Sequence, residues 1–156
     1  MRFRKRKNQR NEEERGEENN VQEVSVSIED MRKVVNAFAS QLDDNISLRS
    51  IVKSDYQIDT DLLYSYLGGK PDRLFYMSKE TYEIFEEPEL PMQIDQVQIA
   101  CDQYVLETGK EPLVPGDKNR KINYFKLKHY LQDPPSFELY LHPVDRMVTH
   151  RKPDDS

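Results

Sequence analysis

The chain has no tryptophan, one cysteine, five glycines and no apolar run near the roughly 20 residues that a bilayer span needs. Each scarcity removes a class of function. Cys101, being alone, allows neither an intramolecular disulfide nor a multi-cysteine zinc site, and it makes a reducing, cytoplasmic compartment the natural expectation. So few glycines leave no loop suited to cradling a phosphate: "GGKP" at 68–71 lacks both the spaced first glycine and the Ser/Thr of a Walker loop. There is no paired-histidine zinc helix and no nucleophile elbow. No apolar segment follows the basic start, which argues against a secretory signal. These absences together predict a chain with no cofactor, no bound metal and no catalytic residues.

Charge is abundant. Hydrophobic residues make up 36% and charged residues 33% of 156, the proportions of a folding body with a heavily charged surface. Arg2, Arg4, Lys5, Arg6, Lys7 and Arg10 cluster at the start, and "NEEERGEENN" then supplies five glutamates against Arg15. Residues 1–20 therefore carry seven bases and five acids, a sum of +2, which leaves −8 elsewhere in a chain of formal charge −6. With Phe3 as its only apolar side chain after the initiator Met, the segment cannot form a core, and a disordered tail is expected over 1–22. Such an arm is either a solvated tail or an electrostatic contact for nucleic acid or an anionic membrane, because clustered Lys and Arg release counterions from phosphate or gather near acidic lipid.

Beyond the tail, "VQEVSVS" reads as a weak strand and "SIEDMRKVVNAFASQL" as a helix capped by Ser27, with Ile28, Met31, Val34, Val35, Phe38 and Leu42 on one face. "IDTDLLYSYLGG" reads as a shorter helix, capped by Asp59 or Thr60, stopped at Gly68, and pointing Leu62, Leu63, Tyr66 and Leu67 inward. "RLFYM" and "TYEIF" read as a hairpin. The acidic "EEPELP" reads as a linker, since its two prolines oppose helix continuation. The order then recurs: a helix in "QIDQVQIACDQYVLETG" with Ile94, Val97, Cys101, Tyr104 and Val105 inward, a loop, a short helix in "NYFKLKHYL" capped by Asn123, and strands in "SFELYL" and "RMVTH".

The recurrence extends to residues. An offset of 64 pairs Ile58 with Ile122, Leu63 with Leu127, Tyr66 with Tyr130, Leu67 with Leu131, Pro71 with Pro135 and Tyr76 with Tyr140. The leading helices align at 66, Ile28 with Ile94 and Phe38 with Tyr104. The expected fold is therefore α+β: tandem helix-helix-β-hairpin repeats over 23–87 and 88–152, their hairpins joined into a four-stranded antiparallel sheet with helices on one face, and a disordered end at 153–156. Phe75 and Met77, and Phe137, Leu139 and Leu141, should face the helices.

Cys101, on an apolar stripe, reads as a small core residue. His129, His142 and His150, near Asp133 and Asp145, have spacings that match no ligand pattern and read as surface histidines. Nine tyrosines are more informative. Tyr66 and Tyr130 follow the helical stripes, whereas Tyr76 and Tyr140 lie out of phase with the inward strand residues. With Leu74 they are expected to form an exposed aromatic patch for a partner. Such a face can also stack bases, although Glu83, Glu138 and "EEPE" around it would repel phosphate. The basic loop "GDKNRK", with Lys126 and Lys128, opposes the acidic region 80–95 in sign, a polarity suited to docking or to self-association through opposite ends.

"QVQIACDQYVLETGKEPLVPG" and "INYFKLKHYLQDPPSFELYLHPVDRMV", residues 96–148, resemble a small family of uncharacterised proteins from spore-forming bacilli, chiefly in "YVLETGKEPL" and "KLKHYLQDPPS". The resemblance implies a bacterial source and assigns no role to any position. The expected function is a non-catalytic, cytoplasmic protein-interaction or regulatory module with an unidentified protein partner. The alternative is nucleic-acid or anionic-membrane association through the basic arm.

Overall fold

The structure, a computed structural model, describes residues 22–153. The six basic residues of the arm, the tail over 1–21 and residues 154–156 lie outside the described residues. The fold is α+β. Strand β1 (Glu23–Val24) leads to helix α1 (Ile28–Ala39). Ser27 starts α1 with a capping box: its Oγ accepts from the Asp30 N–H at 3.0 Å, and the Asp30 carboxylate accepts from the Ser27 N–H at 3.3 Å. The stripe of α1 turns inward as its spacing predicts, burying Met31 and Val35 and laying Ile28, Val34 and Phe38 against the same core.

A 3₁₀ turn at Leu48–Ile51 precedes a second at Thr60–Leu63, which runs into helix α2 (Tyr64–Leu67). Asp59 caps the second turn, and Gly68 ends α2 at φ 80°, a left-handed conformation that glycine adopts without strain. Leu63 is buried, but Leu62 and Tyr66 are exposed, a correction to their expected inward setting; Tyr66 instead packs edge-on to Phe38 at 6.2 Å. Strand β2 (Lys70–Pro71) pairs in parallel with β1. The chain passes so close there that a Cβ on Gly69 would sit 2.2 Å from the Gln22 carbonyl oxygen.

Hairpin β3 (Tyr76–Met77) and β4 (Ile84–Phe85) follows, then the 20-residue helix α3 (Glu89–Thr108), a 3₁₀ turn at Tyr124–Leu127, and hairpin β5 (Tyr140–Leu141) and β6 (Val148–Thr149). The expected linker over "EEPELP" is corrected: α3 starts inside it, with Pro88 at the cap position and Pro91 buried in the first turn. First-turn N–H groups have no intrahelical acceptor, so proline is tolerated there. The expected second short helix is only the 3₁₀ turn, with Asn123 accepting from the Phe125 N–H as cap.

The four-stranded sheet is also corrected, because the strands form three separate two-stranded sheets among the described residues. Each hairpin closes one flank locally, β3 through a bridge from Gln57 to Tyr76 and β5 through one from Lys121 to Tyr140. On the other flank, the Val148 N–H donates to Gln98 Oε1 at 2.8 Å instead of to a strand. Strands β4 and β6 meet through side chains: Thr149 Oγ1 donates to Glu83 at 3.2 Å, and the Phe85 ring lies edge-on to His150 at 5.1 Å.

Local geometry matches at positions 64 apart. The Ile58 N–H donates to the Phe75 carbonyl and the Ile122 N–H to the Leu139 carbonyl, both at 2.9 Å; the Met77 N–H donates to Tyr56 and the Leu141 N–H to Arg120. Tyr56 and Arg120, and Tyr82 and Arg146, share positive φ, an unusual conformation for non-glycine residues. Phe38 against Tyr66 has its counterpart in Tyr104 against Tyr130. Two core clusters result, one around Met31, Ile58, Phe75 and Met77 and the other around Ile94, Ile122, Leu139 and Leu141, with Phe85 reaching from β4 into the second. Phe137, only half-buried, packs at the margin of that second cluster.

The close passage at Gly69 predicts that Gly69→Ala displaces β1 and lowers stability by about 2 kcal/mol or more. Gly68→Ala, strained only by its φ, should cost about 1 kcal/mol. Hydrogen exchange checks the distinction, with protection over residues 22–26 lost in the first variant and kept in the second.

Candidate functional site

Helix α3 organises the molecule through its polar side chains as well as its apolar ones. Asp95 and Gln98 are buried beside Ile94 and Val97. The Asp95 carboxylate accepts from the Ser78 hydroxyl, from the Lys79 N–H at 2.9 Å and from the Glu80 N–H at 3.2 Å, so a residue of the helix caps the β3–β4 turn. Ser78 Oγ itself accepts from the N–H groups of Glu80 and Thr81. One helical turn on, Gln98 accepts from the Val148 N–H of β6 and donates to Asp102 at 3.0 Å. The two side chains hold one hairpin each.

Where α3 ends at Gly109, Glu111 begins a second fixed cluster. Its carboxylate accepts two bonds from one Arg120 nitrogen, both at 2.8 Å, and one from Arg146 at 2.9 Å, while Arg120 Nε also donates to the Leu141 carbonyl. Burial pushes the Glu111 carboxyl up, but the guanidinium bonds and charges outweigh it and hold the group below the usual carboxylate range. Both arginines sit at positive φ, so this clamp fastens two strained loop positions.

The residues expected to form an aromatic patch are not brought together as one surface. Leu74 is 53% exposed. Tyr76 is half-buried. Tyr140 is only 4% exposed, its backbone paired with Lys121 on one side and Thr149 on the other and its hydroxyl donating to Glu138 at 2.8 Å. Its open setting is corrected: strand alternation turns the ring away from the inward residues, yet the folded chain buries it. Cys101 is a buried core residue, and burial first, with Asp102 and Glu111 adding to it, pushes its thiol up to about 12. His142 accepts from the Val144 N–H, and His150 lies 3.5 Å from Glu83. No group of three His, Cys, Asp or Glu suited to a metal occurs among the described residues.

Sequence reasoning missed the far side of α3. Val105, expected inward, is 40% exposed, and Met92, Ile99 and Leu106 are exposed at 37%, 49% and 84%. Met92, Ile99 and Leu106 recur every seven residues, close to two helical turns, and so form one stripe opposite the core-facing Val97 and Cys101. Exposed Gln96 and Gln103 flank the stripe on one side and exposed Asp102 on the other. The heptad spacing was readable in the sequence once the inner face had been assigned. The buried roles of Asp95 and Gln98 were also signalled, as polar residues adjoining the apolar positions Ile94 and Val97.

Comparison with known proteins gives one match. The model of a family described as a protein of unknown function, DUF3939, matches residues 21–150, which spans both halves of the body, further than the resemblance over 96–148. No curated protein and no solved structure matches.

Removing the Asp95 carboxylate leaves the Lys79 N–H and Ser78 hydroxyl of a buried turn without their acceptor. Asp95→Ala should therefore cost about 3 kcal/mol in a denaturant titration. Ser78→Ala should cost less, and the double variant less than the sum of the singles, because both groups belong to one network.

Proposed function

We propose that this chain, which belongs to the DUF3939 family, is a non-catalytic protein-interaction or regulatory module whose contact face is the outer side of α3. The observation that carries the proposal is the stripe of Met92, Ile99 and Leu106, three large apolar side chains aligned along the longest helix and open to water. Isolated exposed apolar residues are ordinary on protein surfaces, whereas aligned ones on a rigid element mark contact sites. Leu74, next to half-buried Tyr76, adds a second apolar point on the surface of the first half. The body is two copies of one helix-helix-hairpin unit. The support for duplication is the agreement of hydrogen bonds and positive-φ positions at one offset, together with the six identities. In this reading the copies diverged in the leading helix, which in the second became long enough to clamp both hairpins and still present a free face. A cytoplasmic, bacterial setting goes with the proposal, supported by the lone buried Cys101 and by the resemblance over 96–148.

A photo-crosslinking residue in place of Ile99, expressed in the native organism, should yield discrete protein adducts that the same residue at exposed Ser65 does not. Adducts no stronger at 99 than at 65 would reject the contact face. The second reading rests on the basic cluster from Arg2 to Arg10. It requires that the full chain bind nucleic acid or anionic vesicles in a salt-sensitive manner and that deletion of residues 1–20 abolish the binding; equal binding by both chains, or none by either, removes it.

A further inference from the structure

We infer that Glu111, Arg120 and Arg146 form a proton-operated latch on the second hairpin: the ionised carboxylate holds two left-handed loop positions in place, and neutralising it lets the β5–β6 hairpin open. The inference stands apart from the contact face on α3. Arg120 and Arg146 both have φ 61°, a conformation that residues with a Cβ enter only at a cost. Both guanidinium groups donate to the one carboxylate, at 2.8 and 2.9 Å. The same two residues carry backbone bonds of the hairpin. The Leu141 N–H donates to the Arg120 carbonyl at 3.1 Å, and the Arg146 N–H donates to the His142 carbonyl at 2.9 Å. One carboxylate therefore fixes the backbone on which β5 and its turn rely. Strand β6 in turn carries Thr149 and His150, whose contacts with Glu83 and Phe85 join the two halves, so opening the hairpin loosens that junction.

The first half shows that the fold does not require the charge. Positions 64 before 111, 120 and 146 are Ser47, Tyr56 and Tyr82. Tyr56 and Tyr82 are left-handed too, at φ 72° and 63°, and Ser47 Oγ meets the Tyr82 hydroxyl at 3.1 Å. The closure is thus made by hydroxyls in one half and by ions in the other. At these positions only the second half has a closure that a proton can undo.

The direction of the response follows from the surroundings of Glu111. Burial raises its carboxyl, and the bonds and charges of Arg120 and Arg146 more than offset that, leaving it below the usual range. The clamp is therefore complete above the ordinary glutamate range and is lost as pH falls through the lowered value. The Cys101 thiol on α3 also feels the Glu111 charge. In the β5–β6 turn, Asp145 lies 3.7 Å from His142 and accepts from the Met147 N–H, and beside β5, Lys121 lies 3.5 Å from Glu138. Acid acts on Asp145 and Glu138 as well, so substitution has to separate them from Glu111.

Hydrogen exchange on the full-length chain reads the latch at the amides of Leu141, His142 and Arg146, with Met77, Ser78 and Tyr82, their counterparts 64 positions earlier, as internal controls. At neutral pH, Glu111→Gln should lower protection of the first three about tenfold and leave the controls unchanged. In the unsubstituted chain, acid should lower the same three, and in Glu111→Gln that further loss should be absent. Arg120→Gly combined with Arg146→Gly should make Glu111→Gln silent, because glycine holds a left-handed φ unaided. Unchanged protection in Glu111→Gln overturns the inference. So does an acid response that persists in that variant, which would assign the proton to Asp145 or Glu138, or a loss undiminished in the double-glycine background. Should Glu111→Gln fail to fold, Arg146→Gln, at the more exposed arginine, decides on the same amides: a smaller loss there supports the latch, and none removes it.

Discussion

A carboxylate buried in a helix with prolines at its start ties the β3–β4 hairpin to α3. Asp95 takes three hydrogen bonds from the β3–β4 turn, from the Ser78 hydroxyl and the N–H groups of Lys79 and Glu80, the last of which it shares with Ser78 Oγ. A turn so capped is fixed relative to α3, and with it Met77 and Ile84, the pair next to the turn. Gln98 repeats the device one helical turn later by taking the Val148 N–H. The hairpins are too short to be stable alone, so their placement comes from the helix rather than from each other. A buried carboxylate is a costly way to gain stability, and apolar packing would do as well. Its directional bonds gain one alignment of turn against helix, since a shift by a single residue would carry Asp95 away from all three donors.

The halves agree where backbone geometry is at stake and differ where the helix intervenes. Tyr56 and Arg120 turn the chain in the same left-handed sense before equivalent bridges. After β3 and β5 they share one bond and differ in another: Ser78 Oγ accepts from the Glu80 N–H as His142, in the matching place, accepts from the Val144 N–H, and Ser78 in addition donates to Asp95. The first turn is thereby clamped from outside its own half, and Phe85, reaching from β4 into the second core cluster, draws the same connection in apolar terms.

Local chemistry made much of this legible. Ser27 announced the start of α1, Gly68 the end of α2, and alternation placed Phe75, Met77, Leu139 and Leu141 in the core. What failed depended on partners distant in the chain. Nothing in "EEPELP" distinguishes a proline linker from a helix start until something packs on Pro91, and nothing in "SFELYL" reveals that Tyr140 is bridged by Lys121 and buried. The joined sheet was a sound solution to exposed hairpin edges; the chain adopted another, closing each edge with a local bridge or a glutamine side chain.

Helices α1 and α3 show how the placement of apolar residues sets a helix's duties. On α1 they occupy one stripe, and its polar residues meet water, as suits a helix that covers one core. On α3 they occupy both sides: Ile94, Val97, Ala100 and Cys101 face inward while Met92, Ile99 and Leu106 face out, with Asp95 and Gln98 spent on the hairpins. A helix apolar on opposite sides is built to lie between two bodies. One of those bodies is the chain's own core. On the proposed reading the other is the partner that meets the stripe of Met92, Ile99 and Leu106.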